Sequence, residues 1–195
     1  MAEQQKISCL VLAAGFSRRM GKPKLELPLG DSTLLAQALE PITQAPFAER
    51  ILVVQRKMSE HPGFRTIEIG NQAEFGMHRS IRAGVEALNP CEAVCIALAD
   101  QPFLTHQDYQ DLLQAWSSAK AEGKNLLYPE HQGHRGNPAL ISSEYFREIL
   151  AEPDTDRGCQ YLFRRHADQV FIWPTAARGF YQDVDDWETY QKCLN

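Results

Sequence analysis

Three features of the chain predict an α/β fold on a mostly parallel sheet. Strand-like and helix-like stretches alternate from Ile7 onward. The runs 51–54 and 93–99 are apolar without alternation, as in strands covered on both faces. A glycine-containing, basic loop follows the first strand, where α/β proteins place anions.

Taken in order, the first strand covers 7–12 and passes through Ala13 and Ala14 into the loop. Ser32 or Thr33 caps a helix whose Leu34, Leu35, Ala38, Leu39 and Ile42 fall at helical spacing, and Pro46 marks its end. Strands at 51–54 and 66–69 follow, joined through Pro62 and Gly63. The order strand, helix, strand favours parallel pairing with right-handed crossovers. Met77, Ile81, Val85 and Leu88 mark one face of the next helix, whose N-terminus directs backbone donors toward Gly76. The strand 93–99 ends in Asp100-Gln101-Pro102. Thr105 with Asp108 then opens a helix carrying Tyr109, Leu112, Leu113 and Trp116 on one face.

A strand at 126–128 precedes the turn 129–138. Ser142 or Ser143 opens a helix reaching Leu150, and Glu152-Pro153-Asp154 breaks it. Asp156-Arg157-Gly158 leads into a helix with Tyr161, Leu162 and Phe163, whose basic end, Arg164, Arg165 and His166, suits the helix dipole. A late strand covers 170–173. In strand geometry Asp183 and Asp185 project to one side, and Asp186 caps a last helix bearing Trp187, Tyr190 and Leu194.

At 195 residues, 44% apolar and 23% charged, the chain has the composition of one globular domain, taken as 1–195. The net charge of −5 argues against general nucleic-acid binding, so local basic clusters imply local anions. No apolar run approaches the ~20 residues that span a bilayer, and the first six residues lack a leader's apolar segment. The expected setting is cytoplasmic, without a membrane partner. The five cysteines form no Cys-x-x-Cys pair, so no disulfide framework is expected. His131 and His134 have no further His or Cys at zinc spacing.

The stretch 10–24 carries the chemistry. Gly15 and Gly21 lack a Cβ, so backbone N–H groups can approach a ligand closely. Arg18, Arg19, Lys22 and Lys24 add forked and point positive charge suited to phosphate oxygens. The spacing is neither the dinucleotide fingerprint nor the P-loop. Asp100 ends an apolar strand, where ligands bind in open α/β sheets. A carboxylate beside a polyphosphate loop suggests Mg2+, which takes oxygen ligands and shares its shell with substrate phosphates. The lesser alternative for Asp100 is a cap for the helix near Thr105.

The residues Leu12, Ala13, Ala14, Gly15, Ser17, Arg19, Met20, Gly21 and Lys24 fill the signature Leu-Ala-Ala-Gly-x-Ser-x-Arg-Met-Gly-x-x-Lys without a gap. The chain therefore resembles the nucleotidyltransferases that join a nucleoside triphosphate to a phosphorylated acceptor. Asp100-Gln101-Pro102, Gly136-Asn137-Pro138 and Asp183-Val184-Asp185 resemble segments of the molybdenum cofactor branch, and most of all its cytidylyltransferases. The resemblance implies a Rossmann-like three-layer fold of the nucleotidyltransferase, GT-A-like type. It also implies transfer of CMP from CTP, or GMP from GTP, to molybdenum cofactor with Mg2+ and release of pyrophosphate, and transient contact with a molybdoenzyme or its chaperone.

By that resemblance Arg19, Lys24 and Asp100 are catalytic. Leu12, Ala13, Ala14, Gly15, Ser17, Asn71, Gly76 and Ser80 join them in holding the nucleotide. Gln101, Arg135, Gly136, Asn137 and Pro138 face the acceptor, although Arg135 and its neighbours also read as an ordinary hairpin loop. Asp100 with Asp185, and secondarily Asp183, holds the metal. His78 and Arg79 stand where the family carries small residues, which opens the base preference. A sugar- or polyol-phosphate acceptor shares the first loop, and a non-catalytic module that binds and delivers molybdenum cofactor is the alternative outside enzymes.

Overall fold

The structure is a computed structural model that describes residues 6–17 and 19–194. Arg18, one of the loop's four basic residues, lies outside them. The strands are β1 (Ile7–Ala13), β2 (Pro28–Leu29), β3 (Ser32–Thr33), β4 (Glu49–Val54), β5 (Arg65–Glu68), β6 (Ala93–Leu98), β7 (Leu126–His131), β8 (His134–Arg135), β9 (Ala139–Ser142) and β10 (Val170–Pro174). The helices are α1 (Leu34–Gln44), α2 (Met77–Ala87), α3 (His106–Ala121), α4 (Phe146–Ala151), α5 (Gln160–Arg165) and α6 (Trp187–Cys193).

The main sheet runs β10-β7-β9-β6-β1-β4-β5, with β8 paired to β7 and a separate small hairpin of β2 and β3. β5, β4, β1 and β6 are parallel, and β10 is parallel to β7. β9 is antiparallel to both of its neighbours. The expectation of a mostly parallel sheet holds, with β9 as a strand the sequence reading did not foresee. Its four residues, Ala139–Ser142, are all buried. So short an apolar run after a turn carries no periodicity that separates a strand from the approach to a helix. The helix expected from Ser142 or Ser143 accordingly begins later, as a 3-10 turn over Ser143–Tyr145 leading into α4.

Two cores flank the sheet, which gives the three layers. On one face Cys9 and Val11 of β1 pack with Leu35 and Leu39 of α1, Leu112 and Trp116 of α3, and Tyr190 of α6. On the other, Leu10 packs with Ile81 and Val85 of α2, Ile149 of α4 and Leu162 of α5. Alternate β1 residues thus enter opposite cores, as the period of two requires. Thr33 caps α1 by accepting from Ala36 N, and Thr105 with Asp108 forms the capping box of α3. Among the described residues no helix is long and apolar enough to cross a membrane.

Candidate active site

β1 and β6 end and α2 begins at the same edge of the sheet, and the chemistry-bearing residues gather there. Beyond β1 the loop folds into a tight turn, in which the Met20 and Gly21 N–H groups both donate to Ser17 O, at 3.0 and 3.1 Å. Ser17 (φ 48°) and Gly21 (φ 64°) adopt the left-handed conformation that the turn needs. Ser17 Oγ accepts from Lys24 N at 3.2 Å, which draws Lys24 back beneath the loop.

Lys24 is only 8% exposed. Its Nζ donates to Asp100 Oδ2 at 2.7 Å and to Asp185 Oδ1 at 2.8 Å. Arg19 Nη1 donates to the other oxygen, Asp185 Oδ2, at 3.1 Å. Burial pulls the Lys24 ammonium down, yet Asp100 and Asp185 outweigh it and hold its pKa above that of an ordinary lysine. Residues separated by more than 160 positions meet because Val184 N donates to Asp100 O at 2.9 Å, which pins the acidic segment against the end of β6. That segment, 182–186, is irregular. Asp183 and Asp185 therefore do not share a strand face; the backbone bond of the intervening Val184 instead holds their segment beside Asp100. Burial, then the charges of Asp100 and Asp185, raises the Asp183 carboxyl above the usual range. Asp186 caps α6, accepting from Thr189 N at 2.8 Å, as expected.

A cavity of ≈ 350 Å³ opens over this cluster, lined by Leu12, Ala13, Ala14, Gly15, Ser17, Arg19, Lys24, Gly76, Ser80, Asp100 and Asp185. It adjoins a wider one of ≈ 530 Å³, which shares Ala13, Gly15 and Ser17 and adds Asn71, Gln55 and Glu68. Every residue expected to hold the nucleotide thus borders one of the two. Asp183 lines a separate outer cavity with Arg19 and Asp185.

His78 and Arg79 border neither nucleotide cavity. His78 is fully buried against Asp154 and Tyr161, and Arg79 donates to Gln72 Oε1.

The acceptor candidates divide. Arg135 and Asn137 line a third cavity of ≈ 220 Å³ that shares Met77 and Leu98 with the nucleotide cavity. The Arg135 guanidinium lies 3.8 Å from the Phe163 ring centre and 4.4 Å from that of Tyr128. Gly136, Pro138 and Gln101 are buried and do not line the third cavity. A Cβ on Gly136 would come within 2.6 Å of Phe180 O, so its glycine serves packing on 180–181. Gln101 Nε2 donates to the same carbonyl at 3.4 Å.

The structure adds Arg157, which lines the third cavity, and Asp156, which lines the nucleotide cavity. Asp156-Arg157-Gly158 reads locally as a helix entrance, and no spacing ties it to 12–24. Among the described residues neither Arg135 nor Arg157 pairs with a carboxylate, and no acidic residue lines the third cavity.

Asp100 Oδ1 is buried without a hydrogen-bond partner. An orphaned carboxylate oxygen beside a second carboxylate fits a hard divalent cation, which Asp100 and Asp185 could hold. Among the described residues no three His, Cys, Asp or Glu side chains converge into a protein cage.

Comparison with known proteins agrees with this geometry. The model of the MobA-like NTP transferase domain matches residues 9–170. The molybdenum cofactor cytidylyltransferase of Escherichia coli (strain K12) is 27% identical over 170 residues, covering 80% of each chain. A 2-C-methyl-D-erythritol 4-phosphate cytidylyltransferase of Salmonella arizonae is 29% identical over 68% of this chain, which spans 59% of that relative's length. The crystal structure of the Mycobacterium sp. strain JC1 homolog of Rv0371c superposes with a TM-score of 0.82 at 26% identity, covering 97% of this chain and 95% of the other. With its signature loop, sheet order and carboxylate-lined cleft, the chain belongs to the MobA-like NTP transferase family and is a nucleotidyltransferase.

Proposed function

We propose that the chain, as one unit over 1–195, transfers CMP from CTP, or GMP from GTP, to molybdenum cofactor in the cytoplasm, with Mg2+ and release of pyrophosphate. The observation that carries this reading is the Lys24–Asp100–Asp185 cluster, set where a polyphosphate cleft meets a second, arginine-lined cavity.

In the proposed reaction a phosphate oxygen of the acceptor attacks the α-phosphorus. The new O–P bond forms as the bond to the β-phosphate bridge breaks, and the bridging oxygen leaves on pyrophosphate. The protein contributes position and charge. Loop amides around Gly15 and the Arg19 guanidinium hold the β and γ phosphates, and Lys24 neutralises charge that builds at the α-phosphorus. Bound Mg2+ supplies charge neutralisation on the transferring phosphates. Arg135 and Arg157 hold the acceptor's phosphate in a cavity free of acidic residues.

The third cavity's wall is largely apolar, with Ile81, Ile96, Leu98, Ile141 and Phe163 on it. Such a wall offers contact to the flat faces of a pterin ring, whose polar edge, like a polyol's hydroxyls, needs the partners that Arg135, Asn137, Arg157 and Gln160 supply. The similarity to methylerythritol phosphate cytidylyltransferases supports a polyol-phosphate acceptor as the second reading.

Pyrophosphate release by the purified chain, with CTP or GTP crossed against molybdenum cofactor and methylerythritol phosphate, decides between them. Release that requires molybdenum cofactor supports the first reading. Release that requires the polyol phosphate selects the second, and tight cofactor binding without release under any pair selects a delivery module.

A further inference from the structure

We propose that Lys24 is the resident cation of the Asp100–Asp185 pair, and that a divalent ion takes this position only once a triphosphate has drawn the ammonium away. The inference deepens the transferase reading and rests on its assignment of Asp100 and Asp185 as the metal carboxylates.

The Lys24 Nζ contacts Asp100 Oδ2 at 2.7 Å and Asp185 Oδ1 at 2.8 Å, so it stands where an ion bridging the two carboxylates would stand. Mg2+ binds carboxylate oxygens at about 2.1 Å. A divalent ion held by the same two oxygens would crowd the ammonium and be repelled by it, so the two cations compete for the pair.

The remaining contacts favour the lysine while the cleft lacks a nucleotide. Arg19 occupies the second oxygen of Asp185, leaving the pair with two protein cations. The ammonium nevertheless leaves Asp100 Oδ1 buried and unpartnered, so the arrangement is held without being saturated. A metal with several ligand positions can use that oxygen, whereas one ammonium spanning two residues does not.

The link to substrate runs through the backbone. Lys24 N donates to Ser17 Oγ, and Ser17 lines both nucleotide cavities. A triphosphate bound against the loop presents anionic oxygens to Lys24 and Arg19 together. As both turn toward phosphate, Asp100 and Asp185 become free for the metal. Assembly is therefore ordered, with nucleotide first or nucleotide and metal together.

The test is Mn2+ titration followed by electron paramagnetic resonance, on the purified full chain and on Lys24→Met, without nucleotide. Removing two charge-assisted bonds that compete with the ion should tighten Mn2+ binding by about tenfold or more. Unchanged or weaker binding by Lys24→Met overturns the inference. The double variant Lys24→Met with Asp100→Asn should lose the tight site. Retention of that site refutes the carboxylate assignment itself, which distinguishes that failure from failure of the competition argument.

The native chain supplies a second readout should Lys24→Met fail to fold. With 13Cε-labelled lysine, the Lys24 signal should not move in millimolar Mg2+ alone, and should move when a non-hydrolysable CTP or GTP analogue is added. Movement with Mg2+ alone overturns the proposal.

Discussion

Adding one methyl group at two glycines of the nucleotide cleft should have opposite consequences. Gly76 has φ 92° and ψ −177°, a region closed to residues with a side chain. A Cβ there would lie 2.3 Å from Asp156 Oδ1 and 2.9 Å from both Asp156 N and Thr155 C. The backbone at 155–156 cannot easily retreat, because Thr155 O accepts from His78 N at 2.9 Å and Asp154 pairs with Arg82 at 3.1 Å. Backbone strain of about 1–3 kcal/mol and overpacking of similar size suggest that Gly76→Ala loses roughly 2–6 kcal/mol. For a chain of this length that is about 4–24 °C in Tm.

Gly15 has open space for a Cβ and no positive φ, so Gly15→Ala should melt within about 2 °C of the native chain. Its methyl would instead keep loop amides from the phosphates. Losing one bond to a charged ligand corresponds to about tenfold or more in triphosphate affinity. Differential scanning calorimetry and isothermal titration with CTP and GTP read the two effects. A Gly76→Ala chain that melts like the native one would show that 154–156 is not pinned to α2. Native affinity in Gly15→Ala would remove the loop from the phosphate site.

Gly84→Ala should destabilise despite alanine's better helix propensity, because its Cβ would come within 2.2 Å of Leu10 Cδ1 in a fully buried core. Overpacking of about 1–3 kcal/mol exceeds a propensity gain of about 0.5–1 kcal/mol, and a denaturant midpoint no lower than the native one would contradict this. Arg157→Ala should raise the acceptor's KM and spare that of the triphosphate; steady-state kinetics showing the reverse would move Arg157 to the nucleotide side. Asp183, its pKa raised by burial and by Asp100 and Asp185, binds its proton more tightly folded than unfolded. Stability therefore falls as pH rises from the ordinary carboxylate range through the raised value, and its ionised form opposes folding above that. Asp183→Asn should accordingly raise Tm at neutral pH in metal-free buffer and change it little at pH 3; an equal rise at both would exclude the charge effect.

Much of the fold is legible in the chain because its strands are covered on both faces and its helices carry caps. The runs at 51–54 and 93–99 have no polar alternation to mislead, and Thr33 and Thr105 announce their helices. β9 was hidden because its partners are β6 and β7, the latter more than ten residues upstream, and its four residues repeat no period. The nucleotide side of the site is legible because one contiguous loop supplies most of it. Arg157 was not, since its place on the same cavity as Arg135 depends on the segment before α5 packing over the sheet. The expected strand face for Asp183 and Asp185 gave way to a loop, yet Asp185 still reaches Lys24 because Val184 binds the backbone of Asp100.

The central claim is that Asp100 and Lys24 form the centre at which a nucleotidyl group changes partners. Single-turnover transfer by Asp100→Asn, with triphosphate binding measured on the same sample, tests it most directly. The predicted result is a rate reduced by roughly 10²-fold or more, with triphosphate affinity held within a few-fold. Transfer at the native rate would contradict it.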